Sequence, residues 1–200
     1  MVHLQLEQLE EYAKENNIPI MQKDGIDFLI DYIKKNNIKE ILEIGSAIGY
    51  SAIKMALSSD DVKVTTIERD EERYLLAKTN IQKFNLGKRI SIILADALDV
   101  NIDKKFDLIF IDAAKSQYIK FFEKYKVNLN NNGSIITDNL SFHGLVEDDS
   151  SITNRNTKQL VKKIRKYIEF LKENSEFETE FLNIGDGISI SKFKKDTCNN

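Results

Sequence analysis

The sequence predicts an α/β fold: a mostly parallel sheet of seven strands, helices on both faces, and an antiparallel hairpin at its C-terminal end. Three observations carry that expectation. Short β-branched apolar runs alternate with amphipathic helical stretches, the pattern of βαβ units. The run Phe106–Ile111 (FDLIFI) is apolar at nearly every position, as a strand buried on both faces must be. Finally, Gly185-Asp186-Gly187 separates the last two strand-like runs, which is a hairpin signal.

Taken in order, helical patterns at 4–15 and 25–35 precede the first run, Glu40–Ile44. Tyr50–Leu57 then reads as a helix, 62–67 as a strand, 71–84 as a helix and Ile90–Leu94 as a strand. Phe106–Ile111 follows, then a helix over 115–125 with an aromatic face of Tyr118, Phe121 and Phe122, then a strand at 134–137. A long helix over 156–174 breaks the rhythm before strands at 177–184 and Ile188–Phe193. The 200 residues suit one domain, long enough to bury roughly 70% of the unfolded surface. We divide it into an N-terminal helical segment (1–36), a core (37–193) and a mobile polar tail (194–200).

Composition narrows the function classes. No apolar run reaches the roughly 20 residues of a membrane span, and the N-terminus lacks the basic-then-apolar profile of a signal peptide. The single cysteine, Cys198, cannot form an internal disulfide, which fits a reducing cytoplasm. A net charge of −3 means that any binding to nucleic acid must come from a local patch.

Glu43-Ile44-Gly45-Ser46-Ala47-Ile48-Gly49-Tyr50-Ser51 carries a strand into a glycine turn and then a helix. Ligands of such sheets bind beyond the carboxyl ends of the strands, where glycine lets backbone approach closely. The spacing is E-x-G-x-x-x-G, so the dinucleotide fingerprint is absent and a dehydrogenase is disfavoured. Glu68 ends the second strand 23 residues after Gly45, where a carboxylate can accept both ribose hydroxyls. Asp96-Ala97 follow the third strand, placed to flank an adenine ring. Each has a plain alternative: the glycines a simple turn, Glu68 or Asp70 a helix cap. Their joint order favours a cofactor site.

The segments EIGSAIGYSA, TIERDEE, ADALD, FDLIFIDAAKSQY and IITDNL resemble the metal-dependent O-methyltransferase family, which includes catechol and caffeoyl-CoA methyltransferases and bacterial relatives. The resemblance runs over about residues 19–193, and IDAAKSQY with ITDNL is its most specific part. It implies a Rossmann-like S-adenosylmethionine-dependent methyltransferase fold. It also implies a donor pocket formed by Met21, Glu43, Gly45, Ser51, Glu68, Asp96, Ala97 and Asp112. Met21 rests on the family match alone, since a methionine among apolar residues is usually core. Relatives are commonly homodimers, and the amphipathic N-terminal stretch could pack against a partner or cap its own site.

Asp112 ends the fourth strand and Asp138-Asn139 the fifth, so adjacent parallel strands bring three oxygen donors to one rim. Two carboxylates and an amide carbonyl suit Mg²⁺, and Mn²⁺ accepts the same ligands. The alternatives are a helix cap for Asp112 and a polar turn for Asp138-Asn139. No His/Cys cluster suggests zinc. Lys115 matches a family lysine proposed as a general base or as a cation that stabilises the oxyanion; its alternative is an exposed lysine in a first helical turn.

The acceptor is suggested by Asp138-Asn139-Leu140-Ser141-Phe142-His143-Gly144, by Arg155-Asn156-Thr157 and by Asn183-Ile184-Gly185-Asp186-Gly187. These resemble the branch that methylates 5-hydroxyuridine at the tRNA wobble position, whose 5-hydroxyl and 4-carbonyl can chelate a metal as a catechol does. Arg155, Lys158, Lys162 and Lys166 recur at helical spacing and could hold anticodon-loop phosphates, while Phe142 or Tyr118 stacks on an unpaired base and His143 lies nearby. A solvated helix face is the equal alternative. Glu147-Asp148-Asp149 could line the metal site or repel phosphate. A small catechol-like or CoA-linked phenol is the second acceptor. A non-catalytic binding protein on the same fold is the third reading, opposed by the intact Asp112, Lys115, Asp138 and Asn139.

Overall fold

The computed structural model describes residues 2–195; the expected tail therefore lies largely, and Cys198 wholly, outside the described residues. Seven strands form one sheet in the order β3-β2-β1-β4-β5-β7-β6. They are β1 (Glu40–Ile44), β2 (Lys63–Glu68), β3 (Ile90–Leu94), β4 (Phe106–Ile111), β5 (Leu129–Thr137), β6 (Phe177–Leu182) and β7 (Ile188–Phe193). The first five pair in parallel, whereas β7 runs antiparallel between β5 and β6. This is the expected sheet, and β7 is inserted rather than appended.

The helices are α1 (Val2–Glu15), α2 (Lys23–Lys35), α3 (Tyr50–Leu57), α4 (Glu71–Lys83), α5 (Tyr118–Tyr125) and α6 (Arg155–Lys172). Because side chains alternate across a strand, β4 sends Leu108 and Phe110 to one core and Ile109 and Ile111 to the other. Leu9, Ile26, Leu29, Ile33, Ile53 and Ile81 place α1 to α4 on the first face. Tyr118, Phe122, Ile164 and Tyr167 place α5 and α6 on the second. The chain therefore leaves β1 in opposite directions for β2 and β4, and a crevice opens at that switch point beyond the strand ends.

Two elements differ from expectation. β5 begins at Leu129, five residues before the expected start, and crosses the polar Asn130-Asn131-Asn132. Asn130 Nδ2 donates to Asp107 Oδ1 at 2.8 Å where the register with β4 shifts, so a side-chain bond holds what hydrophobicity does not. The helix expected from Lys115 opens instead with a 3₁₀ turn, Lys115–Gln117, before α5.

Candidate active site

The crevice is a cavity of about 310 Å³ over the ends of β1, β2, β3 and β4. Its floor exists because β1 stops in glycine. Gly45 has φ +96°, and a Cβ there would lie 2.2 Å from the Asp112 carbonyl oxygen. Only hydrogen fits, so the chains leaving β1 and β4 run in contact beneath the cavity. The Asp112 N–H donates to Ile44 O at 3.0 Å and the Asp138 N–H to Ile111 O at 3.2 Å, so β4 and β5 deliver both carboxylates to the same rim.

Met21, Gly45, Ser51 and Glu68 line the cavity, as do Asp96, Ala97 and Asp112. Glu68 is buried: its Oε2 accepts the Ala47 N–H at 2.9 Å, and its Oε1 accepts those of Arg69 and Asp70, both at 2.9 Å. The cap of α4 is Asp70, which accepts from the Arg73 N–H at 2.9 Å, so the cap alternative passes to Asp70 and Glu68 faces the glycine turn. Asp96 accepts the Leu98 N–H at 2.9 Å, and the Ala97 carbonyl accepts from Tyr125 Oη at 2.6 Å, fixing that bend.

Glu43 is placed differently. It is fully buried and absent from the cavity wall. Ser51 Oγ donates to one of its oxygens and Thr66 Oγ1 to the other, each at 2.5 Å. Burial pushes its carboxyl up to about 7; the two hydroxyl bonds lower it, and Asp112 and Glu68 add repulsion. Glu43 thus orients Ser51, which reaches the cavity, from behind.

At the rim, Asn139 (φ +64°) donates from Nδ2 to Asp138 Oδ2 at 2.8 Å, and Lys115 Nζ donates to Asn139 Oδ1 at 2.5 Å. Burial raises Asp138 to about 7, and the neighbouring Asp112 adds to it. Burial likewise raises Asp112, against the pull of Lys115. Lys115 itself is lowered by burial, although Asp112, Asp138 and Asp186 oppose that. Two desolvated, mutually repelling carboxylates with one weakened counter-charge are what a divalent cation would relieve. The donor chemistry fits: hard oxygens, with the Asn139 carbonyl directed to the same rim. Among the described residues no group of three or more His, Cys, Asp or Glu is arranged so that it could by itself hold a metal ion. A cation here would therefore rest on Asp112, Asp138 and Asn139 and complete its shell with outside oxygens.

The expected acceptor residues do not gather as one surface. Tyr118 is wholly buried, and its Oη donates to the Asp138 carbonyl at 3.0 Å. It braces the rim and cannot stack on a base, which corrects the expectation. The ring face of α5 that looked available is covered by Tyr167 of α6, 5.2 Å away centre to centre. Phe142 is part-buried beside Lys115, whose Nζ lies 5.5 Å from its ring centre, and His143 is exposed. Arg155, Lys158 and Lys162 are exposed along α6 with Lys166, and none of the four joins an ion pair among the described residues. The acidic stretch does not line the cavity: Glu147 accepts from Ser141 Oγ at 2.9 Å and Asp149 pairs with Arg165 at 2.8 Å.

Some site residues escaped sequence reasoning. Tyr50, Arg69 and Arg73 line the cavity. The first turn of the helix after a glycine turn, where free N–H groups gather, was the available signal for Tyr50. Asp186 is 5% exposed and its charge reaches Lys115 and Asp138, yet Gly-Asp-Gly reads only as a turn.

The cavity beside Glu68 and the acidic rim next to it thus lie together at the switch point of the sheet. The O-methyltransferase family model matches residues 2–194, and the chain belongs to that family. The caffeoyl-CoA O-methyltransferase of Populus kitakamiensis is 28% identical over 204 residues, covering 95% of this chain and 86% of that protein. A Staphylococcus aureus protein, provisionally described as a caffeoyl-CoA O-methyltransferase, superposes with a TM-score of 0.90 at 44% identity, covering 94% of this chain and 92% of its own. The O-methyltransferase of Bacillus cereus, solved in complex with S-adenosylhomocysteine, gives a TM-score of 0.80 at 26% identity over 95% of this chain and 90% of that one. Among the described residues, no helix is long and apolar enough to cross a membrane.

Proposed function

We propose that this O-methyltransferase takes its methyl group from S-adenosylmethionine and places it on one of two adjacent oxygens that an acceptor presents to a divalent cation, Mg²⁺ or Mn²⁺. The observation that carries this reading is the meeting of Asp112, Asp138, Asn139 and Lys115 at the edge of the cavity wall that Glu68 and Asp96 form. When bound, the sulfonium supplies the methyl group and the cation lowers the pKa of a chelated hydroxyl.

The chain's own residues bind and orient. Glu68 accepts ribose hydroxyls while the Ala47 N–H fixes its carboxylate. Asp112, Asp138 and Asn139 hold the cation. Lys115, held below the ordinary lysine range by burial, accepts the acceptor's hydroxyl proton at Nζ. Held alignment of donor and acceptor can supply roughly 7–11 kcal/mol.

A catechol-like or CoA-linked phenol is the acceptor that the relatives' names support. The second reading is 5-hydroxyuridine at the tRNA wobble position. It is favoured by the exposed cations Arg155, Lys158, Lys162 and Lys166 along α6, whose N-terminus follows directly from the rim loop. The test is labelled methyl transfer, with and without Mg²⁺, to catechol, to caffeoyl-CoA and to tRNA carrying 5-hydroxyuridine. Metal-dependent label in a phenol alone supports the first acceptor and makes the α6 cations a solvated face. Label mainly in tRNA, falling when Lys158, Lys162 and Lys166 are neutralised together, reverses that order. No metal-dependent label in any of them removes the chelated acceptor.

A further inference from the structure

The segment between β5 and α6 is bent by left-handed backbone. Asn139 (φ +64°), Phe142 (φ +49°), His143 (φ +58°) and Gly144 (φ +81°) all lie in the region that residues with a Cβ rarely adopt. Three such residues within five positions persist only where surrounding structure holds them. The holding comes from the turn between β6 and β7. The Leu140 N–H donates to Gly187 O at 3.0 Å and the Ser141 N–H to Asp186 O at 2.8 Å. The Asp186 carboxylate then takes the His143 N–H on Oδ1 at 2.5 Å, with His143 Nδ1 3.7 Å from Oδ2.

The two backbones are in contact, since a Cβ on Gly187 would lie 2.7 Å from the Ser141 nitrogen. On its other side the turn rests on α2, where a Cβ on Gly185 would lie 3.3 Å from the Gly25 nitrogen. The turn is thus anchored to the fold, and Asp186 is the side chain by which it hydrogen-bonds the bent segment among the described residues. That segment carries Asn139, whose Oδ1 accepts a hydrogen bond from Lys115 Nζ, and Phe142, which lies beside Lys115. Asp186 itself is not part of the cavity wall.

We propose that Asp186 is a positioning residue: by accepting the His143 N–H it latches the left-handed segment and thereby fixes Asn139 and Phe142 on the acceptor side of the cleft. Its role in turnover rests on the acceptor-rim reading above; its role as a latch does not. Aspartate suits the task because it offers an acceptor on a short stem between two glycines. Asparagine keeps that acceptor and alanine removes it.

The experiment is amide hydrogen exchange on the full chain, comparing the native protein with Asp186→Ala and Asp186→Asn. In Asp186→Ala, amides within 139–146 are expected to exchange about tenfold faster or more, with the sheet and the helices unchanged; Asp186→Asn retains most of the protection. With whichever acceptor the native enzyme labels, Asp186→Ala raises KM about tenfold. Its affinity for S-adenosylhomocysteine stays within about twofold, and Asp186→Asn restores KM. Unchanged exchange over 139–146 in Asp186→Ala overturns the latch. So does an Asp186→Asn protein as unprotected as the alanine variant, because then charge and not the accepted bond is at work. Faster exchange throughout, with cofactor affinity lost in step, makes Asp186 a general fold residue and also overturns it. If the native enzyme labels no acceptor, the substrate reading fails while the exchange result still decides the latch.

Discussion

Gly45 and Glu43 lie two positions apart and show how narrow the tolerances beneath the cavity are. In Gly45→Ala the new methyl would lie 2.2 Å from the Asp112 carbonyl, at a φ of +96° that alanine resists. We expect a loss of stability of about 1–3 kcal/mol and a cofactor affinity reduced more than tenfold, read by calorimetry with S-adenosylhomocysteine. Glu43 sets a pH dependence. Its folded pKa is raised from 4.5 to about 7, so the fold favours the neutral carboxyl. The sign follows: its contribution is fully present below pH 4.5 and is lost as pH rises through 7, by about 1.4 kcal/mol per unit and about 3 kcal/mol in all. Glu43→Gln removes that slope. Urea denaturation at pH 5 and pH 8 should therefore show a smaller drop in midpoint for Glu43→Gln than for the native chain; equal drops would show that Glu43 is not the titrating group.

The second face is held by aromatic contacts that join three elements. Phe122 of α5 meets Phe170 of α6 edge-on at 5.4 Å and Phe177 of β6 at 5.0 Å. Phe122→Ala should cost about 3–5 kcal/mol in a denaturant titration, with cofactor affinity at low temperature changed much less, because Phe122 does not line the cavity; the wall takes only Phe121 from α5. Most of this layering was legible beforehand, since strands buried on both faces and amphipathic helices each have their own period. The glycine turn, Glu68 and Asp112 were legible for a related reason: they sit at strand ends, and strand ends follow from the apolar runs. What was not legible depends on contacts between distant parts of the chain. Tyr118 looked free because its own helix does not reveal that Tyr167, 49 positions later, will cover it. The early start of β5 was hidden because three asparagines carry no apolar signal and one is rescued by Asp107. Asp186 was missed because only the insertion of β7 between β5 and β6 brings its turn to the rim.

For the molecule as a whole, the acidic rim is a site of stored electrostatic cost. Asp138 and Asp112 are both raised by burial, and Asp138 further by its neighbour. Asp138→Asn should therefore make the metal-free protein more stable by about 1–2 kcal/mol, a rise in Tm of about 2–8 °C for a chain of this size, while abolishing the upward shift that the proposed cation site predicts for the native protein in Mg²⁺. Thermal melts with and without Mg²⁺ check both halves. A variant that loses the Mg²⁺ response without gaining stability would mean that the two carboxylates do not repel one another in the metal-free fold.

The strand order also bears on how this protein is made. β7 leaves the ribosome after β5 and β6, yet it lies between them and carries the backbone that pairs with both. Until it emerges, β5 has an open edge, β6 has no neighbour, and the segment after β5 lacks the turn that shapes it. A nascent chain can assemble the cavity around β1 to β4 while the segment after β5 is still unshaped, and that open edge is the surface most exposed to wrong pairing during synthesis. A chain cut short before Ile188 would thus lack the strand that pairs with both β5 and β6, together with the backbone that shapes the segment after β5.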